Sequence, residues 1–349
     1  MIKDFIINDY RGLKNLTLND LNKINVFVGP NNCGKTSILE AIILSGLFDD
    51  IDLLADTLKS RYHNFSPEYF KSLFPVDYNS AIYIKTRLNN SNKTLHTNLK
   101  YDKSQMINTD DADSISDIYE LHFLCSYTDI KNDDPKNFSI RFENIKDGLK
   151  IVTGKSPDND ILNLHIPCKF VSFSRFEGAS RLISDVDKIL EQNLRQELID
   201  ILKIFDDKII NFEIVGKDRT IKLFKENQNA PLTLYDYGNG MYKAFFIATS
   251  ALLSKNGILL IDEIEAGIHN KALRDFIEKL LDVCSANHVQ VFLTTHSLEM
   301  IDIILNDCQS QLDDISIYHI RNKELRTIAK KYSGKKLSTL RNEIGFDVR

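Results

Sequence analysis

Three short apolar runs, at residues 24–28, 258–261 and 289–293, each stop abruptly at a polar cluster. Runs of this length without alternation read as strands buried on both faces, the pattern of a parallel sheet. Between the second and third, Leu273, Phe276, Ile277, Leu280, Leu281 and Cys284 recur at helical spacing, which predicts strand, crossover helix, strand over residues 257–297. The first run leads into a glycine-containing loop, residues 29–37, and then an apolar-rich helix through Ile38, Leu39, Ala41, Ile42 and Ile43. Alternation around Phe5, Ile7, Leu16 and Leu18 predicts strand, turn, strand over residues 1–28. Residues 49–79 read as helical and irregular, and the alternating stretches of 80–152 as antiparallel strands. A strand is expected at 169–173, and from Leu182 to Phe205 apolar residues trace one helical face suited to core or dimer packing. Strands are expected at 209–215, 220–224 and 315–320, with an apolar helix inside 234–253.

At 349 residues and 43% hydrophobic content, the chain has ample core for one large domain or two ordinary ones. No run approaches the roughly 20 apolar residues of a membrane helix, and charges interrupt the N-terminus where a signal peptide needs its apolar region. The expectation is a cytoplasmic protein without membrane contact. Cys33, Cys125, Cys168, Cys284 and Cys308 show no paired spacing and are expected as reduced, mostly buried thiols. A net charge of -5 argues against a chain coated with basic residues but leaves room for a local basic patch, so DNA binding stays open. Asp110, Asp111, Asp113 and Asp117 form an acidic patch among small polar residues, better read as a solvated loop than as a metal site.

Gly29, Pro30, Asn31, Asn32, Cys33, Gly34, Lys35, Thr36 and Ser37 match the pattern GxxxxGK[ST] between a strand and a helix. Backbone N–H groups of such a loop cradle phosphates, Lys35 would reach the β- and γ-phosphates, and Thr36 would offer a hydroxyl to Mg2+. Asp262, at the end of an apolar run, fits the Walker B carboxylate that holds Mg2+. Glu263 is the candidate base for a water attacking the γ-phosphate. His296, at the end of the next run, is the candidate contact to that phosphate or water.

Together the pieces YRGL, VGPNNCGKTS, YGNGMYKAFFIA, LLIDEIEAGIH and QVFLTTHS resemble the ABC-type ATPase head and, more narrowly, the ATPase domain of the OLD (overcoming lysogenization defect) family, with RecF and SMC heads as more distant kin. The resemblance covers nearly the whole chain, and residues 50–165 only in general character. It implies that Gly238, Asn239 and Gly240 form the signature that reaches a nucleotide bound by the other subunit, with Tyr237 where many heads carry a serine. It further implies a dimer-facing loop at Gly267 and His269, and a phosphate contact from Arg11. No glutamine stands where the Q-loop is expected, leaving Ser172 or Ser174 as stand-ins. OLD proteins continue into a Toprim nuclease domain of about 100 residues. Residues 297–349 are too few for one and hold no acidic cluster.

The expected fold is α/β, a P-loop NTPase of ABC-type head with a mixed central sheet, an antiparallel β subdomain and a helical insert. One split domain is expected, with a nucleotide core at 1–48 and 206–349 and an insertion at 49–205. The expected function is Mg-ATP binding and hydrolysis by a homodimer or higher oligomer of heads. By resemblance, that cycle controls a separate effector, such as a Toprim-type nuclease in phage defence. A RecF-like, ATP-switched DNA-binding protein is the alternative. A transporter subunit is disfavoured by the wide gap between Lys35 and Gly238. Residues 321–341 carry eight basic residues against Glu324, either a solvated face or a docking surface for nucleic acid or an acidic partner.

Overall fold

The computed structural model describes residues 1–45, 53–54, 57, 81–89, 94–107, 115–127, 136–145, 148–153, 166–172, 179–228, 230–324 and 326–349. In chain order the N-terminal elements are β1 (Ile2–Ile7), β2 (Leu16–Leu18), β3 (Ile24–Val28), α1 (Lys35–Leu44), β4 (Ile82–Leu88), β5 (Thr94–Ile107), β6 (Ile115–Tyr127), β7 (Lys136–Ile145) and β8 (Gly148–Thr153). There follow β9 (Cys168–Val171), α2 (Ala179–Glu191), α3 (Arg195–Leu202), β10 (Ile209–Val215), β11 (Thr220–Lys225), β12 (Leu232–Thr233), α4 (Asn239–Leu253) and β13 (Ile258–Ile261). The last are α5 (Asn270–Ala286), β14 (Gln290–Thr295), α6 (Leu298–Asp307), β15 (Ile315–Lys323), β16 (Arg326–Ser333) and α7 (Gly334–Ile344). They divide between two compact units, one of residues 1–21, 31–166 and 320–329, the other of 22–30, 167–319 and 330–349.

The first unit is built on a seven-stranded sheet, order β2-β1-β4-β5-β6-β7-β8, antiparallel throughout. In β1 and β4, Phe5, Ile7, Ile82, Ile84 and Leu88 are buried while their neighbours are more open, the alternation of a sheet with one covered face. Helix α1 is apolar nearly all round and correspondingly buried. Its C-terminal end is fastened to β5, where the Thr97 hydroxyl donates to the Ser45 carbonyl at 2.5 Å.

The second unit holds a six-stranded sheet, order β16-β15-β3-β14-β13-β9, in which β15, β3, β14, β13 and β9 run parallel. Every residue of β3, β13 and β14 is buried, which is why those segments read as apolar runs without alternation, broken only by Asn25 and Gln290. The predicted stripe of α5, from Leu273 to Cys284, lies in the same core, where Phe276 meets Phe205 edge-on. Helix α4 packs against α2, α3 and α5, and Phe245 stands perpendicular to Phe212 of β10. A small antiparallel sheet, β10-β11-β12, completes the unit.

Three features depart from the sequence reading. Strand β9 and helices α2 and α3, assigned above to the insertion, belong with the parallel sheet, because β9 pairs with β13 from Cys168↔Ile258 to Val171↔Ile261. Residues 1–21, assigned to the nucleotide core, instead complete the antiparallel sheet of the first unit. Strand β16 was not expected at all: it is the sheet's outermost strand, and its exposed lysines and arginine mask its two buried positions, Thr327 and Tyr332. The regions expected as helical at 49–79 and as an acidic patch at Asp110, Asp111 and Asp113 fall largely outside the described residues, as does Ser174.

Candidate active site

Parallel pairing sets the site's layout. Thr295 is in register with Val28, Leu293 with Ile261, and Ile261 with Val171, so Gly29, His296, Asp262 and Ser172 follow four adjacent strands at their carboxyl ends. That edge is where ligands bind in open parallel sheets.

From β3 the chain turns through the phosphate loop with Gly29 at φ 146°, Asn32 at 61° and Gly34 at 100°. Gly34 starts α1 in a left-handed conformation, and a Cβ there would stand 2.5 Å from Leu13 Cδ2. No acidic residue occupies the first turn of α1 and no side-chain cap is made from Gly34, so the positive end of the helix dipole is not offset by a carboxylate on that turn, which favours an anion there. Lys35 is buried with Nζ 3.9 Å from Cys33 Sγ. Burial pushes the Cys33 thiol up, against the opposing pull of Lys35. Arg11, at φ 53°, is engaged with α1 itself: its Nε lies 3.3 Å from Glu40 Oε2, which also accepts from the Tyr10 hydroxyl at 3.2 Å.

In the second unit one hydroxyl organises the two acidic candidates. Thr294 Oγ1 accepts the Glu263 amide at 2.8 Å and donates to Asp262 Oδ1 at 2.7 Å, while Ser172 Oγ stands 3.4 Å from Asp262 Oδ2. Asp262 is buried and Glu263 exposed. Glu263 sits at φ 47°, a left-handed conformation costing a non-glycine residue about 1–3 kcal/mol, of the kind that collects at functional sites. The Lys243 ammonium donates to the Glu263 carbonyl. Glu265, overlooked in the sequence, holds the next strand end: its Oε1 accepts from the Thr295 hydroxyl at 2.8 Å and the His296 amide at 3.1 Å, and lies 3.3 Å from His296 Nδ1. The His296 ring is otherwise half open to solvent.

The turn at 238–240 opens α4. Gly238 has φ 86°, and the first turn of α4 has neither an acidic residue nor a side-chain cap, an arrangement that favours an anion at this helix start. A Cβ on Gly240 would stand 2.6 Å from the Gly267 carbonyl oxygen, so the two backbones touch there. Tyr237 lies beneath the Lys225 ammonium at 4.7 Å, and Tyr235 is exposed and stacked on Tyr242. His269, assigned to the dimer-facing loop, caps α5 by accepting the Lys271 amide, and Ser297 caps α6 in the same way.

A hard cation asks for oxygen donors, and Asp262 offers a carboxylate already oriented by two hydroxyls. Among the described residues no group of three or more His, Cys, Asp or Glu forms a self-sufficient cage. In the second unit Asp262 is the residue that fits such a cation.

A parallel sheet with a phosphate loop after one strand and a carboxylate pair after another, joined to an antiparallel sheet, is the ABC-type head of a P-loop ATPase. The chain belongs to the family described as "AAA domain, putative AbiEii toxin, Type IV TA system", which matches residues 24–302. It is 25% identical over 334 residues, 87% of each chain, to an ATP/GTP phosphatase of Helicobacter pylori. It is 52% identical over 42 residues, 12% of each chain, to the DNA replication and repair protein RecF of Psychromonas ingrahamii. In fold it is similar to an SMC head bound to the C-winged helix domain of ScpA, with TM-score 0.51, 13% identity, and 97% and 99% of the two chains covered. An SMC head with an extended coiled coil, bound to the C-terminal domain of ScpA derived from Pyrococcus furiosus, gives 0.50 at 10% identity over 99% of each chain. No helix among the described residues is long and apolar enough to cross a membrane.

Proposed function

We propose that the protein is a Mg2+-dependent ATPase whose subunits pair around ATP and thereby set the state of a separate effector. The observation that carries this reading is the Thr294 hydroxyl, which binds the Glu263 amide and Asp262 together at the sheet edge where β3 hands over to the phosphate loop. In the cycle proposed, backbone N–H groups of residues 29–34 and the side chains of Lys35 and Ser37 hold the phosphates. Thr36 and Asp262 hold Mg2+, which when bound draws charge from the phosphoryl oxygens. Glu263 takes a proton from water as the water oxygen bonds to the γ-phosphorus and the bond to the β-phosphate oxygen breaks. His296 hydrogen-bonds the γ-phosphate or that water, and Gly238, Asn239 and Gly240 of a second subunit offer their N–H groups to the same phosphate.

The relative named as an ATP/GTP phosphatase supports hydrolysis, and the head fold seen bound to ScpA supports regulation of another protein. Within this reading the protein is an OLD-type head, and its effector is of the Toprim nuclease kind in phage defence. The short match to RecF favours a second reading, an ATP-switched DNA-binding protein of repair. Glu263→Gln keeps the shape of the side chain and loses the base, so ATP affinity should persist while turnover falls by about 10²–10⁴-fold. Wild-type turnover in that variant would remove Glu263 from the mechanism. Lys35→Ala should instead weaken nucleotide binding, and unchanged affinity would count against the phosphate loop. Copurification from the native host tests for the effector; tight ATP-dependent binding of bare DNA would favour the repair reading.

A further inference from the structure

Among the described residues Lys35 and Lys243 are the buried lysines, and the proposed chemistry uses only the first. Lys243 lies on α4 one turn beyond Asn239, and the negative charges of Glu265, Asp262 and Glu263 favour its charged form. Burial nonetheless pushes its pKa down to about 8, which marks how fully the group has been withdrawn from water. A lysine serving only as counter-charge to three carboxylates has no need of a main-chain oxygen, yet this one donates to the carbonyl of Glu263.

That carbonyl belongs to the residue at φ 47°. Such a conformation persists only when its surroundings over-determine it. Here both ends of the residue are claimed by side chains from different elements: the amide by Thr294 of β14 and the carbonyl by Lys243 of α4. The same carbonyl also closes the following turn by accepting the Ala266 amide at 2.9 Å. At the far end of that turn, Gly267 meets the Gly240 backbone, so α4 grips the 263–267 loop at two places.

We propose that Lys243 is a positioning residue for hydrolysis, tying the Glu263 carbonyl to α4 so that the aim of the Glu263 carboxylate depends on where the 238–240 turn is held. This rests on the ATPase reading above. It adds that a subunit whose signature turn engages its partner's nucleotide thereby adjusts its own base.

Two variants test it, each compared with wild type for folding, ATP affinity and turnover. Lys243→Met removes donor and charge. Lys243→Arg keeps the charge but carries a longer, planar head that cannot place its donor at the same point in a buried site. Both are expected to fold, to keep ATP affinity and KM within about twofold, and to lose turnover by roughly 10- to 100-fold, the scale of a small misplacement of a catalytic group. In a Glu263→Gln background neither should cost anything more, since the group they aim is already gone. Wild-type turnover in Lys243→Met overturns the proposal, and wild-type turnover in Lys243→Arg reduces Lys243 to a counter-charge. Failure of both variants to fold makes it a core residue only, again overturning the proposal. The wild-type rate, measured alongside, tests the ATPase reading by itself.

Discussion

The residue that links the acidic pair is a threonine, and its two hydrogen bonds run in opposite senses. Thr294→Val keeps shape and volume but leaves the Glu263 amide without its acceptor and Asp262 without a donor. Second-sphere partners of this kind are worth about 10–100-fold in metal affinity or activity, so a Mg2+ titration of ATPase rate should show a raised requirement and a lowered plateau. An unchanged Mg2+ profile would make the threonine incidental. The cysteines carry a different expectation. All five are free and buried, as the sequence reading expected, and burial pushes the Cys284 and Cys308 thiols from an ordinary value of 9.0 up to about 12. As pH rises above 9 the unfolded chain sheds these protons while the folded chain keeps them, so the unfolded state binds fewer protons and stability must fall across pH 9 to 12. Urea midpoints between pH 8 and 10.5 should decline less steeply in Cys284→Ala than in wild type; parallel slopes would refute the assignment. Asp262, Glu263, Lys35 and His296 stood out as candidates in the sequence because their types end apolar runs or complete a phosphate loop. Lys243 and Glu265 did not, since a lysine inside a helical apolar run and a glutamate in an acidic loop have no local pattern that sets them apart.

At the scale of elements, α5 and α4 show how far periodicity reaches. The α5 stripe was readable to the residue because one face of a helix must be apolar to join a core. The start of α4 was readable as a glycine turn, but not what the glycines meet. Gly240→Ala would drive a methyl to 2.6 Å from a backbone oxygen, which cannot swing aside as a side chain can. A loss of about 1–3 kcal/mol is expected in equilibrium unfolding. No loss would show that the Gly240 and Gly267 backbones can separate freely. The basic stretch falls on the end of β15, on β16 and on α7. Arg341 pairs with both carboxylate oxygens of Asp302 at 2.6 and 2.7 Å, and Lys335 lies 2.7 Å from Asp313 on the surface. Lysines on an outermost strand also discourage edge-to-edge pairing, which accounts for part of the charge without any ligand. Reversing Lys330, Lys331, Lys335 and Lys336 to Glu separates the uses. If the stretch docks nucleic acid, the salt dependence of binding should lose about 0.9 log unit per phosphate contact removed while basal ATP hydrolysis persists. An unaltered salt slope would leave an edge-protecting, solvated face.

For the whole molecule, the proposed cycle requires two copies, because the 238–240 turn serves a nucleotide it does not itself hold. Glu263→Gln loaded with Mg-ATP should therefore sediment as a dimer whose population rises with protein concentration, and nucleotide-free protein should not; a monomer at every concentration would sink the trans contact. The sequence by itself determined the order of the parallel unit's core elements, the position of the phosphate loop and the carboxylate pair, and the ABC-type head class. Those signals are local: apolar runs without alternation mark strands buried on both faces, and the polar residues ending them mark the edge where chemistry gathers. Tertiary structure alone decided which strands are neighbours, that β9 closes the parallel sheet and β1 joins the antiparallel one, and that Thr294 and Lys243 meet the acidic loop while its Glu265 meets Thr295 and His296. Strand pairing is made by backbone groups common to nearly all residues, and these contacts join residues 20 to 32 positions apart, so neither leaves a trace in residue type or spacing.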